Sequence, residues 1–312
     1  MPFTRSDAIC TESGQREQFN IVTAFTDGSN IYGSDDRRAE GLRTMSKGFL
    51  RTHTRGPTLP SNKQARRIDP IGPMEFVAGD IRATEQPGLA SMHSLFVLEH
   101  NRLATLLSSF DSSMLDEELY QRSRRLVIGQ IQNIVYGEFL PIVLGPTTMQ
   151  EYGLNLPAFR TTTTYDKSVN PGIFNEFATF AFRFGHSLIP DFFKTAKKPL
   201  ETAPNICPLK DTFFKIEECV MGKDSSGKAW QNLILGISTS QSPPMDAKIE
   251  ESISNFLFCQ KCNIIDGFGQ DLAARNIQRG RDHGLPGYNH YRHVQIYCIQ
   301  YSQQSFKQYC LT

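Results

Sequence analysis

Residues 173–189 read IFNEFATFAFRFGHSLI. At about 100° per residue, Phe174, Phe177, Ala181, Phe184 and Leu188 share one helix face. Thr179, Arg183 and His186 share the opposite side, with Phe182 and Ile189 flanking it. A helix aromatic on nearly all sides is predicted to be buried, and a buried histidine and arginine need partners. Two chemistries fit. His186 is a satisfied core histidine beside a buried ion pair, or it is a ligand facing a cofactor while Arg183 reaches an anionic group one turn away. A second cluster lies at 271–289, DLAARNIQRGRDHGLPGYN, where Arg275, Arg279 and Arg281 surround Asn276, Asp282 and His283. Guanidinium groups gathered this way suit a carboxylate. They equally suit a salt-bridged helix end, and Gly284, Pro286 and Gly287 are predicted to stop that helix.

Other chemistry-bearing patterns are weaker. Cys259 and Cys262 form a CxxC that, with His290 and His293, has the ligand types of a zinc set. The Cys-to-His interval is too long for a simple finger, and no βαβ pattern surrounds the pair, so disulfides or free thiols are expected. His93 and His100 lie seven apart on one predicted helix beside Glu99, and are read as structural. The stretch TAFTDGS at 23–29 is rich in oxygen donors but is no EF-hand: counting Asp27 as position one, Tyr32 replaces the glycine at six and Arg38 the glutamate at twelve. On residue types alone it reads as a solvated turn. Arg51 to Arg67 is basic and read as a solvated loop rather than a nucleic-acid or heparin site.

The elements that must position these groups are predominantly helical. From Pro87 onward Met92, Leu95, Phe96, Leu103, Leu106, Leu107 and Phe110 recur at three- and four-residue steps. A second amphipathic run after Asp116 carries Leu119, Leu126, Val127, Ile131, Ile134, Val135 and Phe139. Further helices are expected at 173–189, 247–258 and 268–280, strand signals are few, and residues 51–73 read as a long loop. The expected class is mainly α with long irregular connections, and such connections often carry sites. The 312 residues are 39% hydrophobic, enough for a substantial core. Their 33 basic and 32 acidic side chains nearly cancel, which argues against a general electrostatic nucleic-acid binder. No run of roughly 18 consecutive apolar residues occurs, so no membrane span is expected. The polar first twenty residues do not read as a signal peptide, and no Asn-x-Ser/Thr site for N-glycans is present. Seven cysteines are too scattered for a small disulfide scaffold.

Five blocks, in order, resemble the animal haem peroxidases: REQFNIVTAFTDGSNIYGS (16–34), AGDIRATEQPGLASMHSLFVLEHNRLA (78–104), FLPIVLGP (139–146), FATFAFRFGHSLI (177–189) and DLAARNIQRGRDHGLPGYN (271–289). The resemblance implies the family's helical haem-binding domain over 1–292, with a divergent tail at 293–312. It implies haem b, with His186 as the axial ligand of the iron and Asn276 as the partner of its other ring nitrogen. Arg183 and Arg279 match residues near the haem propionates. Arg82 matches the distal arginine, which steadies charge as the peroxide O–O bond breaks. Glu85 matches the carboxylate ester-linked to a haem methyl. Gln86 stands where myeloperoxidase has a methionine joined to a haem vinyl, so no such link is expected, and chloride is expected to be a poor substrate. Thr23, Phe25, Asp27 and Ser29 match the family's Ca²⁺ loop. By resemblance the substrates are hydrogen peroxide and small anions or phenols, the setting is extracellular, and a role in the response to oxidative stress follows. The oligomeric state is not implied.

Two departures accompany the resemblance. The family's distal histidine lies in an Asp-His-Asp segment upstream of the stretch matched by Met1, and this sequence holds no such run. That histidine is the general base for the peroxide proton, its neighbours furnish a second haem ester and part of the calcium site, and a cysteine before Met1 would pair with Cys10. After about Arg292 the resemblance is expected to stop. A partial peroxidase domain is the reading these departures favour. The alternative is a non-catalytic product that binds haem or pairs with full-length peroxidase.

Overall fold

The computed structural model describes residues 3–69, 76–156, 165–198, 205–222, 227–259 and 267–293. Helices dominate, joined by long irregular segments, with two short antiparallel strand pairs among the described residues. The mainly α expectation is met. The chain divides into two compact units. The larger comprises Asn20–Gly172 and Gly185–Asp271; the smaller comprises Met1–Phe19, Ile173–Phe184 and Leu272–Thr312.

The larger unit is built on the helix Pro87–Phe110. Its start is written locally. The Gln86 side chain accepts a hydrogen bond from the Gly88 amide, and Pro87 occupies the first turn, where its missing N–H costs nothing. The buried face is the run of small and polar residues Ala90, Ser94, Val97, His100 and Ala104. The apolar stripe expected to be buried instead stands partly outward: Met92, Leu95, Leu106 and Phe110 are exposed. Small side chains allow neighbouring backbone to approach closely, and close packing rather than maximal hydrophobicity selected the face. Next comes Asp116–Ile134, whose first turn holds Asp116, Glu117 and Glu118 at the positive end of the helix dipole. Arg43 donates to Asp116 and Glu117 there. Leu119, Tyr120, Ser123 and Val127 are buried; Leu126, Ile134 and Phe139 are not.

The core gathers Ile31, Tyr32, Leu59, Phe76, Val97, Tyr120 and Trp230. The basic loop 51–69 is not merely solvated, because Thr58, Leu59 and Ala65 are fully buried. The Leu59 amide donates to Ser94 Oγ, which ties the loop to the long helix. His93 and His100 are structural, as expected. His100 Nε2 donates to the Gly48 carbonyl at 2.8 Å, so Nδ1 is the acceptor for the Tyr32 hydroxyl at 3.0 Å. Burial lowers the His100 pKa to about 4. A disulfide joins Cys207 and Cys219, and Cys259 is disulfide-bonded too; Cys262 lies outside the described residues.

In the smaller unit Ala8–Cys10 pairs with Arg16–Gln18, Cys10 facing Arg16. The helix Leu272–Asp282 ends as predicted. Gly284 takes the left-handed conformation (φ 70°), the Leu285 amide donates to the Gly280 carbonyl and the Gly284 amide to Arg281. The expected continuous helix at 173–189 is two pieces: an α-helix Asn175–Thr179 and a tighter 3₁₀ stretch Ala181–Leu188, separated by Phe180 at φ −128°, ψ −67°. Phe174, Phe177, Phe180 and Phe182 are exposed rather than buried. The helix breaks after one turn, so no single aromatic face forms. The rings partly stack on each other instead, Phe177 and Phe182 with centroids 5.1 Å apart.

Candidate functional site

The site residues expected from sequence divide between the two units. In the larger unit Asp80 caps the 3₁₀ turn Ile81–Thr84, accepting from the Arg82 amide at 2.7 Å. The same carboxylate takes two guanidinium hydrogen bonds from Arg82, Nε at 2.9 Å and Nη2 at 2.6 Å. This bidentate grip holds the guanidinium plane in one orientation. The hydrogen bond to Asp80 raises the Arg82 pKa, so the cation persists at all working pH values. Burial would raise the Asp80 pKa, but the hydrogen bonds and charge of Arg82 hold it below the usual carboxylate range. Glu85 follows as the residue closing the turn, its amide donating to the Arg82 carbonyl at 3.0 Å. Burial pushes the Glu85 carboxyl up, against the pull of Arg82. Asp80 was not among the residues expected from sequence, although an Asp two residues before an Arg at a turn start is a cap signature.

The 23–29 loop brings three oxygens together. Thr23 Oγ1 lies 2.9 Å from Asp27 Oδ1 and 3.1 Å from Ser29 Oγ, and the Ser29 amide donates to Asp27 Oδ1 at 3.0 Å. Phe25 is exposed. Hydroxyls with one carboxylate are hard donors of the kind Ca²⁺ takes. Asp27 is the sole carboxylate of the set. His186 is half-buried on the 3₁₀ stretch.

The smaller unit holds the cavity. Its volume is about 540 Å³, and its walls include Arg183, Phe184, Asn276, Ile277, Arg281 and Tyr291. Arg183 Nη1 donates to Asn276 Oδ1 at 2.9 Å, so two of the expected residues meet directly. Aromatic and aliphatic walls beside guanidinium groups match a ligand with a flat apolar body and carboxylates. The lining therefore suits the apolar body and carboxylates of haem; His186 is not among the lining residues. Arg279 has other partners: it donates to the Thr4 carbonyl at 3.0 Å, Ser6 Oγ at 2.9 Å and Asp282 Oδ2 at 3.0 Å, with its guanidinium carbon 4.3 Å from the Phe3 ring centre. Asp282, its side chain 1% exposed, also accepts from Arg5 at 2.6 Å and the Ser6 amide at 2.8 Å. Burial would raise its pKa, but these donors hold it far below the carboxylate range. Ser6 accepts from Arg279 and donates to His283 Nε2 at 2.7 Å; His283 Nδ1 in turn donates to Asn175 Oδ1 at 2.6 Å. Burial lowers the His283 pKa despite Asp282 beside it. Sequence reasoning saw an arginine cluster here; it did not see the clamp on residues 3–6, because those partners lie some 275 positions away.

The animal haem peroxidase family model matches residues 1–309. Mouse (Mus musculus) myeloperoxidase is 38% identical over 94% of this chain and 41% of its own length. The chorion peroxidase of Aedes aegypti is 35% identical over 89% of this chain and 34% of its own. The chain thus spans less than half the length of these curated relatives. Among solved structures, peroxidase A from Dictyostelium discoideum superposes with a TM-score of 0.71 at 33% identity, covering 90% of this chain and 52% of that one. A fatty acid alpha-dioxygenase from Oryza sativa shares the fold, with a TM-score of 0.69 at 21% identity. The chain belongs to the animal haem peroxidase family.

Proposed function

We propose that this chain is part of a haem-dependent peroxidase that uses hydrogen peroxide to oxidise halides or small phenolic and organic donors. The observation that carries the reading is the cavity walled by Arg183 and Asn276 in a chain matched by the family model along nearly its whole length. When bound, haem supplies the redox chemistry of peroxide cleavage and donor oxidation. His186 would hold the iron, and Asn276 would orient its imidazole, a neutral amide drawing less charge onto the ring than a carboxylate. Arg183 would pair with a propionate. Arg279 would act on that end indirectly, through the clamp that fixes the helix 272–282. Arg82, locked by Asp80, would steady negative charge on a peroxide oxygen. Glu85, with its raised pKa, is the group suited to an ester link. Thr23, Asp27, Ser29 and the Phe25 carbonyl would hold Ca²⁺. The Cys207–Cys219 disulfide accords with an oxidising, extracellular setting.

A haemin titration followed at the Soret band tests the reading. The protein is expected to give a saturable band that His186→Ala abolishes. An equal band in both proteins would mean unspecific haem uptake and defeat the assignment. Gln86 in place of a methionine predicts bromide, iodide or thiocyanate oxidation well above chloride oxidation; efficient chlorination refutes that.

A second reading has its own observation. The 312 residues contain no Asp-His-Asp run, and so supply no distal base of that kind. These residues alone are then expected to bind haem weakly with little turnover, as a haem-binding or peroxidase-pairing product. Turnover near that of a complete peroxidase, measured on residues 1–312 alone, would exclude it.

A further inference from the structure

One run of side chains in the smaller unit has hydrogen bonds of fixed direction. Asn175 Nδ2 donates to Gln18 Oε1 at 2.9 Å, which sets the amide and leaves Asn175 Oδ1 as the acceptor 2.6 Å from His283 Nδ1. Nδ1 therefore carries the ring proton, and Nε2 is a bare lone pair. The Ser6 hydroxyl lies 2.7 Å from Nε2 and donates to it. Ser6, Asn175 and His283 all belong to the smaller unit, although 277 positions separate the first from the last.

A hydroxyl, an imidazole with its Nε2 free to accept, and a third group holding Nδ1–H are the three parts of an activated serine. Two guanidiniums stand beside it. Arg279 Nη1 donates to Ser6 Oγ at 2.9 Å, so a positive charge faces the reacting oxygen. Arg16 donates through Nη2 to the Ser6 carbonyl, and its Nε is buried with no acceptor among the described residues. A buried N–H left unpaired is costly, and an oxyanion formed beside Ser6 is the kind of acceptor it lacks. The place is reachable: Ser6 and His283 are half-buried, and a Cβ added at Gly284, next to the histidine, would meet nothing within 4 Å. Burial of His283 lowers its pKa, which keeps the ring in its base form at neutral pH. The clamp accounts for Arg279 and Asp282, but it does not require a hydroxyl, an imidazole and an amide in this order.

We propose that Ser6, His283 and Asn175 form an acyl-transfer site for carboxylic esters, with Ser6 as nucleophile, His283 as general base and Asn175 as the positioning residue. Ser6 Oγ bonds to the ester carbonyl carbon while its proton passes to His283 Nε2. The carbonyl oxygen takes the negative charge, faced by the guanidiniums. The bond from that carbon to the alcohol oxygen then breaks, and the alcohol leaves with the proton from His283. Water repeats the sequence on the acylated Ser6, releasing the carboxylic acid and restoring the hydroxyl. No haem, metal or oxidant enters, so the proposal stands or falls separately from the peroxidase reading.

Labelling of the 312-residue protein with an alkyl fluorophosphonate, in the absence of haemin, tests it. A single adduct is expected on Ser6, located by digestion and mass spectrometry, with none on exposed serines such as Ser13. No adduct on Ser6, or adducts shared equally with Ser13, overturns the proposal, and neither result depends on a variant folding. His283→Gln is expected to slow labelling at least about a hundredfold, the weight of a general base. An equal rate overturns the proposal. Asn175→Ala is expected to slow labelling at least about tenfold and Asn175→Asp to restore it, a rescue that a merely structural role does not give. Asn175→Asp as slow as Asn175→Ala overturns the place given to Asn175. Hydrolysis of p-nitrophenyl acetate is expected to begin with a burst of nitrophenolate and to vanish in Ser6→Ala. Hydrolysis that persists in Ser6→Ala belongs to another nucleophile and overturns the proposal. Haem binding is read separately at the Soret band, so the failure of either reading is distinguishable from the failure of the other.

Discussion

Two clusters of this protein use the same residue types to different ends. In the core of the larger unit, His100, Tyr32, Tyr120 and Arg43 close on one another: the Tyr32 hydroxyl donates to His100, His100 donates to Gly48, and the Arg43 guanidinium lies 3.9 Å over the Tyr120 ring. In the smaller unit hydrogen bonds tie Arg279 to Ser6 and Asp282, and His283 to Ser6 and Asn175, while Arg183 donates to Asn276 and both of these line a cavity with Tyr291. Buried histidine and arginine therefore do not by themselves signal function. The difference lies in the surroundings: the first cluster ends on the Gly48 carbonyl within the core, whereas Arg183 and Asn276 of the second line a cavity.

The sharpest way to break this comparison is to remove a partner from each cluster. Asp282→Ala leaves Arg279 without its buried counter-ion and unties residues 3–6; because Arg5 is largely exposed, a loss of about 2–3 kcal/mol is expected in denaturant unfolding. An unchanged midpoint would show that the clamp is not structural. Acid should next expose the core cluster. His100 titrates at about 4 in the fold and near 6.5 when unfolded. The unfolded chain therefore binds the proton first. The His100 contribution is complete above about pH 6.5, is lost as pH falls toward 4, and is flat below. Its ceiling is about 3 kcal/mol, and His53 and His93 are shifted in the same direction. Melting temperatures flat from pH 7 to 4.5 would contradict this. Tyr32→Phe strips His100 Nδ1 of its donor and should cost about 1–2 kcal/mol, leaving haemin affinity unaltered. Arg183→Ala should do the reverse, weakening haemin binding severalfold with little change in melting temperature. If Tyr32→Phe loosens haemin and Arg183→Ala does not, the two clusters have been assigned the wrong way round. The smallest effect is expected at the exposed Arg102–Glu99 pair, where Arg102→Ala should leave the melting temperature unmoved.

Much of the fold could be read from residues. The apolar periodicity from Pro87 onward announced the long helix, Gly284 announced the end of the Arg-rich one, and the scarcity of strand signals matched the helical architecture. The hydrogen bond of Arg183 to Asn276 was not legible, since 93 positions separate them and the resemblance assigned Asn276 to His186 instead. The expected burial of the Phe-rich segment failed at Phe180, where the helix breaks and every later side chain turns by a different angle.

What the sequence by itself determined was local: where helices start and stop, which residue types could ligate, and which family the chain resembles. Caps, prolines and left-handed glycines act within a turn of themselves, so no distant partner is needed to read them. Tertiary structure alone decided which face of Pro87–Phe110 went inward, that Asp80 holds Arg82, and that Arg279 grips residues 3–6. Those outcomes depend on the shape and charge of whatever packs opposite, and helical periodicity says only that a side exists, never which neighbour will fill it.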